Sequence, residues 1–524
     1  MMSTRPPVEI PRQSLTYPLR QAARRWPDKT ALIEPEAGHR AWTFGELEHG
    51  SACLAGALVQ AGVSAGQRVA LCLKNSAAYV LGFYGILKAG AVVVPLSSHY
   101  GPHELAHALD LSQAVGMLAE ESIWRLPGKW GTGLGLRVTL GGPAPDGLRS
   151  LEEMLAHPPG PDLSLELDPA ASLAVLPFSS GTTGLPKAVM LSHFNLLGNL
   201  RQNVAARQLG PEDVMLNQLP FFHIYGMTAL MGAAIQVGAL QVVISRFQPV
   251  EGFLDLMARY RPTVLLTVPL VVQELCRQPR LKDLDHGRLR YVNTSAAPLA
   301  RELQERFKRL TGVPVTQGYG LTESSPTTHV NPQERIKVGS IGTPVALTEQ
   351  RIIDPTTLEE LPVGQVGELW IRGPQVMGGY FRDPQASAAA LVDGWLRTGD
   401  LARQDEEGYV FIVDRLKELI KTKGFQVAPA ELEQALLAHP DILDAAVVGL
   451  PHPDLGEAPV AFVVRRPGGA LGQEEVIAFA AQGLARYKRL SQVFFCQAIP
   501  RSASGKILRR VLKQEHQAAM LANP

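Results

Sequence analysis

Short apolar, β-branched runs alternate with helical stretches along most of the chain. Residues 68–73, 91–94, 263–266 and 289–292 read as buried strands, and residues 78–88 and 299–310 carry apolar positions at helical spacing. Strands separated by helices pair most simply in parallel, so the alternation predicts an α/β fold. From about residue 339 the pattern changes. Gly, Pro and turn signals become frequent, and residues 368–372 and 408–413 read as short antiparallel strands of a small barrel-like subdomain over 338–414. The charged run at 415–418 reads as a boundary. Beyond it, a helix at 430–437, strands at 445–448 and 458–464 and a helix at 474–485 predict a compact α+β tail. The expected domains are therefore 1–414 and 415–524. The Gly-rich segment 128–145 lacks dinucleotide-binding spacing and reads as a surface loop.

Composition narrows the class. At 524 residues the chain exceeds a single core, and 46% hydrophobic with 19% charged residues is ordinary for a globular protein. A net charge of +1 offers no electrostatic footprint for nucleic acid. Cys53, Cys72, Cys276 and Cys496 lack metal-ligand or redox spacing and read as reduced thiols. The first residues, with Arg5, Pro6 and Pro7, lack the apolar core of a signal peptide, and a cytoplasmic location is expected. Apolar segments 228–244 and 79–96 are interrupted by Gln236, Gly238 and Gln241 and by Lys88. They read as buried helix–strand pairs, not membrane spans. Peripheral membrane contact and a homodimer stay open.

The richest chemistry lies in Ser179, Ser180, Gly181, Thr182, Thr183, Gly184, Leu185, Pro186 and Lys187, directly after an apolar run. Glycines let backbone N–H groups turn toward an anion, hydroxyls donate further hydrogen bonds, and the lysine adds a point charge. Pro186 and Ala188 break the Walker A pattern, so a triphosphate would be held in another manner. In Gln317, Gly318, Tyr319, Gly320, Leu321, Thr322 and Glu323, glycines flank a ring that could lie on a purine. Thr322 could donate to a phosphate oxygen, and Glu323 is a hard ligand suited to Mg²⁺. Asp400 offers two oxygens to a ribose diol. Residues 414–424 form a basic run, and Lys506 stands at the tip of a small-residue loop. Taken singly, each of the later motifs has a plain structural reading: a turn, a cap, a solvated basic face, a surface lysine.

All five motifs in this order resemble the adenylate-forming, acyl-activating superfamily, which includes acyl-CoA synthetases, coumarate–CoA ligases, luciferases and peptide-synthetase adenylation domains. The resemblance runs from Trp42-Thr43-Phe44-Gly45-Glu46-Leu47 to Lys506. It implies an α/β N-terminal domain of two parallel-rich sheets plus the barrel-like subdomain, followed by a mobile α+β C-terminal domain. It also implies a reaction: a carboxylate attacks the α-phosphate of ATP, and coenzyme A then displaces AMP. By the same resemblance, Ser179 through Lys187 would hold phosphates, and Ser295, Ala296, Ala297 and Pro298 with Tyr319 would line adenine. Ser295 replaces a usual glycine. Asp400 and Arg415 would hold ribose. Lys506 would bridge the carboxylate and α-phosphate, a charge-neutralising role of the kind that dominates such steps. Lys421, Lys423, Gly424 and Gln426 would serve the thioester step, and Lys417 would be the hinge.

For the acid, Phe221, Phe222, His223 and Tyr225 and the segment 267–272 predict an apolar or aromatic pocket. Nothing acidic stands there to pair an ammonium, which argues against amino-acid activation. Residues 318–332 and 339–344 resemble bacterial fatty-acid–CoA ligases, whereas 219–227 resemble coumarate–CoA ligases. The expected substrate is a medium- or long-chain fatty acid, with an aryl acid as the alternative. A luciferase-like oxygenase and a non-catalytic nucleotide-binding protein are the competing classes.

Overall fold

A computed structural model describes residues 7–522, apart from 129, 142–146, 180–185, 246, 248, 423–424, 454, 467, 470, 483, 485–487 and 502–506. Of Gln426 and residues 517–522 it describes the backbone alone. The chain divides into two compact units, one of residues 3–349 with 371–396 and the other of 350–370 with 397–524.

The first unit holds two parallel-rich sheets among the described residues. One has nine strands in the order Thr343–Pro344, Thr327–Val330, Val315–Gly320, Tyr291–Thr294, Val264–Thr267, Val214–Asn217, Leu240–Val243, Thr30–Glu34 and Arg40–Thr43. Its six central strands, from Val315–Gly320 to Thr30–Glu34, are parallel, and the flanking pairs are antiparallel. Val264–Thr267 and Tyr291–Thr294 are buried at every position, so neither shows the alternation of a half-exposed strand. The second sheet has seven strands and is parallel except for Leu191–Ser192. Its strand Leu136–Leu140 lies within the segment expected to be a surface loop. Leu136 and Val138 are buried there and Arg137 is exposed, so the glycines at 131, 133 and 135 only precede a strand. The pairs 79–96 and 228–244 are buried, and no described helix is long and apolar enough to cross a membrane.

The second unit contains a bulged antiparallel ladder between residues 400–404 and 410–415. It also contains a sheet ordered Phe425–Val427, Ile420–Thr422, Gly456–Arg465 and Ile442–His452, with Gln492–Phe495 parallel to Gly456–Arg465. Helices Pro429–Leu437 and Gln473–Ala480 contribute Leu432, Leu436, Val476 and Ala480 to its core. The second helix ends short of the expected residue 485.

Candidate active site

Parallel pairing places the carboxyl ends of Val214–Asn217, Val264–Thr267, Tyr291–Thr294 and Val315–Gly320 along one edge of the nine-stranded sheet. Segments 218–223, 267–268, 295–298 and 320–323 all leave the sheet there. In open α/β sheets this edge is where ligands bind.

Val315–Gly320 runs parallel to Tyr291–Thr294, with Gln317 opposite Thr294. The Leu299 N–H donates to Gln317 Oε1 (3.2 Å), tying segment 295–298 to this strand. Ser295 is buried, and its N–H donates to the Thr267 carbonyl at 3.2 Å. Ala296 adopts φ +72°, a left-handed conformation costly for a non-glycine residue. Both glycines beside Tyr319 are crowded by neighbouring atoms. A Cβ on Gly320 would stand 1.9 Å from the Pro326 carbonyl oxygen, and one on Gly318 would stand 3.0 Å from Ser295 Oγ. The Tyr319 ring meets His329 edge-on, centroids 5.9 Å apart.

Thr322 and Glu323 form a short 3₁₀ turn directly after this strand. The Tyr380 hydroxyl donates to Glu323 Oε1 at 3.0 Å, and the Met377 N–H donates to the Glu323 carbonyl at 2.9 Å. Burial, aided by the neighbouring Glu323 charge, pushes the Tyr380 phenol up, so it stays a donor. Lys187 Nζ lies 5.1 Å from the centre of the same ring and 3.3 Å from the Asp383 carboxylate. Asp383 caps helix Pro384–Ala390 by accepting the Ala386 N–H at 2.9 Å. That bond first, and Lys187 second, hold its carboxyl below its ordinary value. The Lys187–Asp383 pair is over a third exposed and so is weak. A phosphate arriving at Lys187 could displace it. Ser179 faces Lys187 across a two-residue antiparallel pairing. Ser180, Gly181, Thr182, Thr183 and Gly184, between them, lie outside the described residues.

On the expected acid wall, Phe221 is fully buried and packs edge-on against Tyr79, whose hydroxyl donates to the Phe221 carbonyl at 3.0 Å. Phe221 therefore belongs to the core, which corrects its expected place in the pocket. Phe222 and His223 are half-buried, and His223 Nδ1 accepts the Tyr225 N–H at 3.2 Å. A π-helical stretch Tyr225–Gly232 follows, a distortion often found at functional sites. Gln218 Nε2 donates to Thr267 Oγ1 at 2.7 Å, linking two strand ends.

In the other unit, Asp400 and Arg415 are register partners, and Arg415 Nε lies 3.1 Å from Asp400 Oδ1. Asp400 is buried and its N–H donates to Thr398 Oγ1 at 3.1 Å. Lys421 is exposed, and its N–H donates to Glu457 Oε2 at 2.8 Å. Gln426 pairs with Lys421 through the backbone ladder. Lys423, Gly424 and Lys506 lie outside the described residues.

Sequence reasoning missed Tyr380 and Asp383. The Asp383-Pro384 pair is a helix-start signal that marked the cap. Nothing local tied Tyr380 to Glu323, 57 positions earlier.

Comparison with known proteins completes the picture. The AMP-binding enzyme family model matches residues 19–381, and the model of that family's C-terminal domain matches residues 431–506. The chain is 36% identical over 501 residues to 4-coumarate–CoA ligase 3 of Oryza sativa subsp. japonica, covering 93% of this chain and 89% of that one. An anthranilate CoA ligase, AuaEII, solved with anthranoyl-AMP, superposes with a TM-score of 0.89 at 26% identity, covering 98% of this chain and 99% of that one. ATP-bound MatB from Rhodopseudomonas palustris gives 0.87 at 30%, with 96% and 99% covered.

Proposed function

The chain belongs to the AMP-binding enzyme family and is an adenylate-forming carboxylate–CoA ligase, and on that premise we propose that its acid is an aryl or arylalkenoic carboxylic acid. The observation that carries this reading is the near full-length likeness to a 4-coumarate–CoA ligase, joined by an anthranilate CoA ligase in structure. Half-buried Phe222 and His223 at the strand edge suit a flat apolar body. This reverses the order of preference that residues 318–332 suggested. A fatty acid is the second reading, favoured by the resemblance of residues 318–332 and 339–344 to bacterial fatty-acid–CoA ligases.

In the first half-reaction the acid's carboxylate oxygen attacks the α-phosphorus of ATP and pyrophosphate leaves. In the second, the thiol of coenzyme A attacks the acyl carbonyl and AMP leaves. Loop 179–184 with Lys187 is assigned to the phosphates, Thr322 to the α-phosphate, Tyr319 and segment 295–298 to adenine, and Asp400 with Arg415 to ribose. Lys506 is assigned to the charge that builds as two anions meet. Lys421, Lys423, Gly424 and Gln426 are assigned to the thioester step. Glu323 fits magnesium, a hard cation content with one or two carboxylates plus substrate phosphates, because a single hydrogen bond from Tyr380 orients one of its oxygens. Bound there, the ion would neutralise phosphate charge.

The test is a panel of cinnamic, benzoic and C6–C16 fatty acids with ATP and CoA, read as AMP formation. Aryl acids should exceed fatty acids by at least ~10-fold in kcat/KM, the scale of a few apolar contacts. A fatty acid at the top of the ranking would reverse the assignment of substrate and leave the ligase standing.

A further inference from the structure

Glu368 is a buried carboxylate to which the reaction assigns nothing. It is 2% exposed and lies on strand Gly367–Arg372, with Trp370 two positions on and so on the same face. Its Oε2 accepts the Trp370 indole N–H at 2.9 Å and the Arg397 guanidinium twice, at 3.0 and 3.2 Å. That guanidinium also lies over the Trp370 ring, 5.4 Å from its centre. An ion pair in the core does not by itself favour folding, because taking both charges out of water offsets their attraction. What this pair fixes is direction. With Oε2 held from two sides, Oε1 is left to accept the Gly399 N–H at 3.1 Å.

Gly399 is a kink inside strand Trp395–Gln404 and directly precedes Asp400. Its φ is +70°, in the left-handed region, and a Cβ there would meet nothing within 4 Å. Backbone conformation, not space, therefore calls for glycine at this position. Three further bonds hold the kink. Thr398 Oγ1 donates to the Leu369 carbonyl at 2.6 Å and accepts the Asp400 N–H at 3.1 Å, and the Gly399 carbonyl accepts the Leu416 N–H at 2.8 Å. Residues 368 and 369 thus grip the backbone at 398 and 399. The Asp400 carboxylate leaves the chain at the next position, with Arg415 Nε 3.1 Å from its Oδ1.

We propose that Glu368 is a positioning residue for the ribose site: by holding the Gly399 N–H it keeps the kink in one conformation and so aims the Asp400 carboxylate at the two ribose hydroxyls of ATP. The proposal rests on the assignment of Asp400 to ribose. Two adjacent hydroxyls need both carboxylate oxygens in one plane and at one angle, so a small rotation of residue 400 forfeits a bond. Glu368 acts through the backbone of residue 399 and takes no part in bond making.

The experiment uses the full-length enzyme with magnesium and the most active acid of the panel above, and compares ATP with 2′,3′-dideoxy-ATP. Pyrophosphate release is measured, and the readout is the ratio of kcat/KM for the two nucleotides. The wild type should favour ATP by at least ~10²-fold, because a site built to hydrogen-bond a hydroxyl rejects the analogue lacking it. Asp400→Asn is the control and should lower that ratio by about 10-fold or more. Glu368→Gln keeps the shape but offers one oxygen in place of two, which can serve Gly399 or the Arg397–Trp370 pair, not both. It should lower the ratio by about 10-fold, the scale of one charge-assisted bond, through kcat/KM for ATP, and leave the dideoxy nucleotide within about threefold of wild type. Glu368→Ala should lower the ratio further, and the Gln variant serves if the Ala variant does not fold. A Glu368 that merely supports the fold would weaken both nucleotides together. An unchanged ratio in Glu368→Gln, with the ratio lowered in Asp400→Asn, overturns the proposal and leaves the ribose site standing. A wild type indifferent to the hydroxyls, or an unchanged ratio in Asp400→Asn, overturns the ribose assignment and this proposal with it.

Discussion

The Tyr380 hydroxyl donates to Glu323 Oε1 over 3.0 Å, and the ring that carries it lies 5.1 Å from the Lys187 ammonium. One side chain thus steadies both the carboxylate assigned to magnesium and the lysine assigned to phosphate. A hydrogen bond to a charged group contributes about 1.5–3 kcal/mol, and an exposed cation–π contact about 0.5–1 kcal/mol.

Tyr380→Phe keeps the ring beside Lys187 and frees Glu323. The expected outcome is a rise in the magnesium concentration needed for half-maximal pyrophosphate exchange, with kcat/KM for ATP down about 10-fold at limiting metal, as the loss of one charge-assisted bond implies. Saturating magnesium should recover most of the loss. Tyr380→Leu removes the ring as well and should lower ATP affinity further. Wild-type behaviour of the Phe variant at limiting magnesium would show that Glu323 needs no such support.

The two half-reactions should separate by residue. Lys506→Ala is expected to slow acyl-AMP formation by at least ~10²-fold, by analogy with the loss of one oxyanion donor. It should spare thiolysis of supplied acyl-AMP. Lys417 is exposed, just before the Glu418 N–H that donates to the Arg415 carbonyl at 3.0 Å. Lys417→Pro would stiffen a position assigned to the hinge, and should slow thiolysis much more than adenylation. Single-turnover assays of each step check both variants. Equal loss of both steps in Lys417→Pro would remove the case for a swivelling tail.

The parallel sheets were legible because strands buried on both faces advertise themselves as short runs without polar alternation, as at 263–266. Strand Leu136–Leu140 was not, since three nearby glycines gave a stronger turn signal than its alternating Leu136, Arg137 and Val138. Gly318 and Gly320 were legible as special, but one reason for Gly320 was not: a side chain there would collide with the Pro326 carbonyl. Long-range partners were invisible. Tyr380 gave no local sign of Glu323. Arg207, in the last turn of its helix, is where a basic residue ordinarily answers the helix dipole at the surface. Only the packing of that helix against Tyr291–Thr294 reveals it as buried.

Glu433 sets one pH dependence. It is buried, accepts the Val447 N–H at 2.8 Å and pairs with Arg509 at 2.9 Å, yet burial outweighs these and pushes its carboxyl up to about 6. A folded value above the unfolded one means the folded state binds the proton more tightly. Its contribution to stability is therefore present below about pH 4.5 and lost as pH rises through about 6, a difference of about 2 kcal/mol. Glu433→Gln cannot titrate. The stability of wild type relative to this variant should increase between pH 7 and pH 5, measured by hydrogen exchange across Ile442–His452. A gap independent of pH would place the charge in solvent.

His193 works in the opposite sense. Its Nδ1 accepts the Leu15 N–H at 3.0 Å, which requires the neutral ring with its proton on Nε2. That Nε2 is buried without a partner, so a second proton would place an unsolvated charge in the core. Burial accordingly lowers the imidazole to about 4, with Asp162 countering only in part. The folded value lies below the unfolded one, near 6.5, so the stabilisation is complete above that pH and is lost as pH falls toward 4. The whole window amounts to about 3 kcal/mol, and roughly 2 kcal/mol of it falls between pH 6.5 and 5. His193→Gln retains an acceptor for Leu15 but cannot protonate. It should be less stable than wild type at pH 7 through poorer packing, and that deficit should shrink by about 2 kcal/mol at pH 5, as read by urea unfolding at the two pH values. A deficit of the same size at both would show that the ring is already reached by water in the native state.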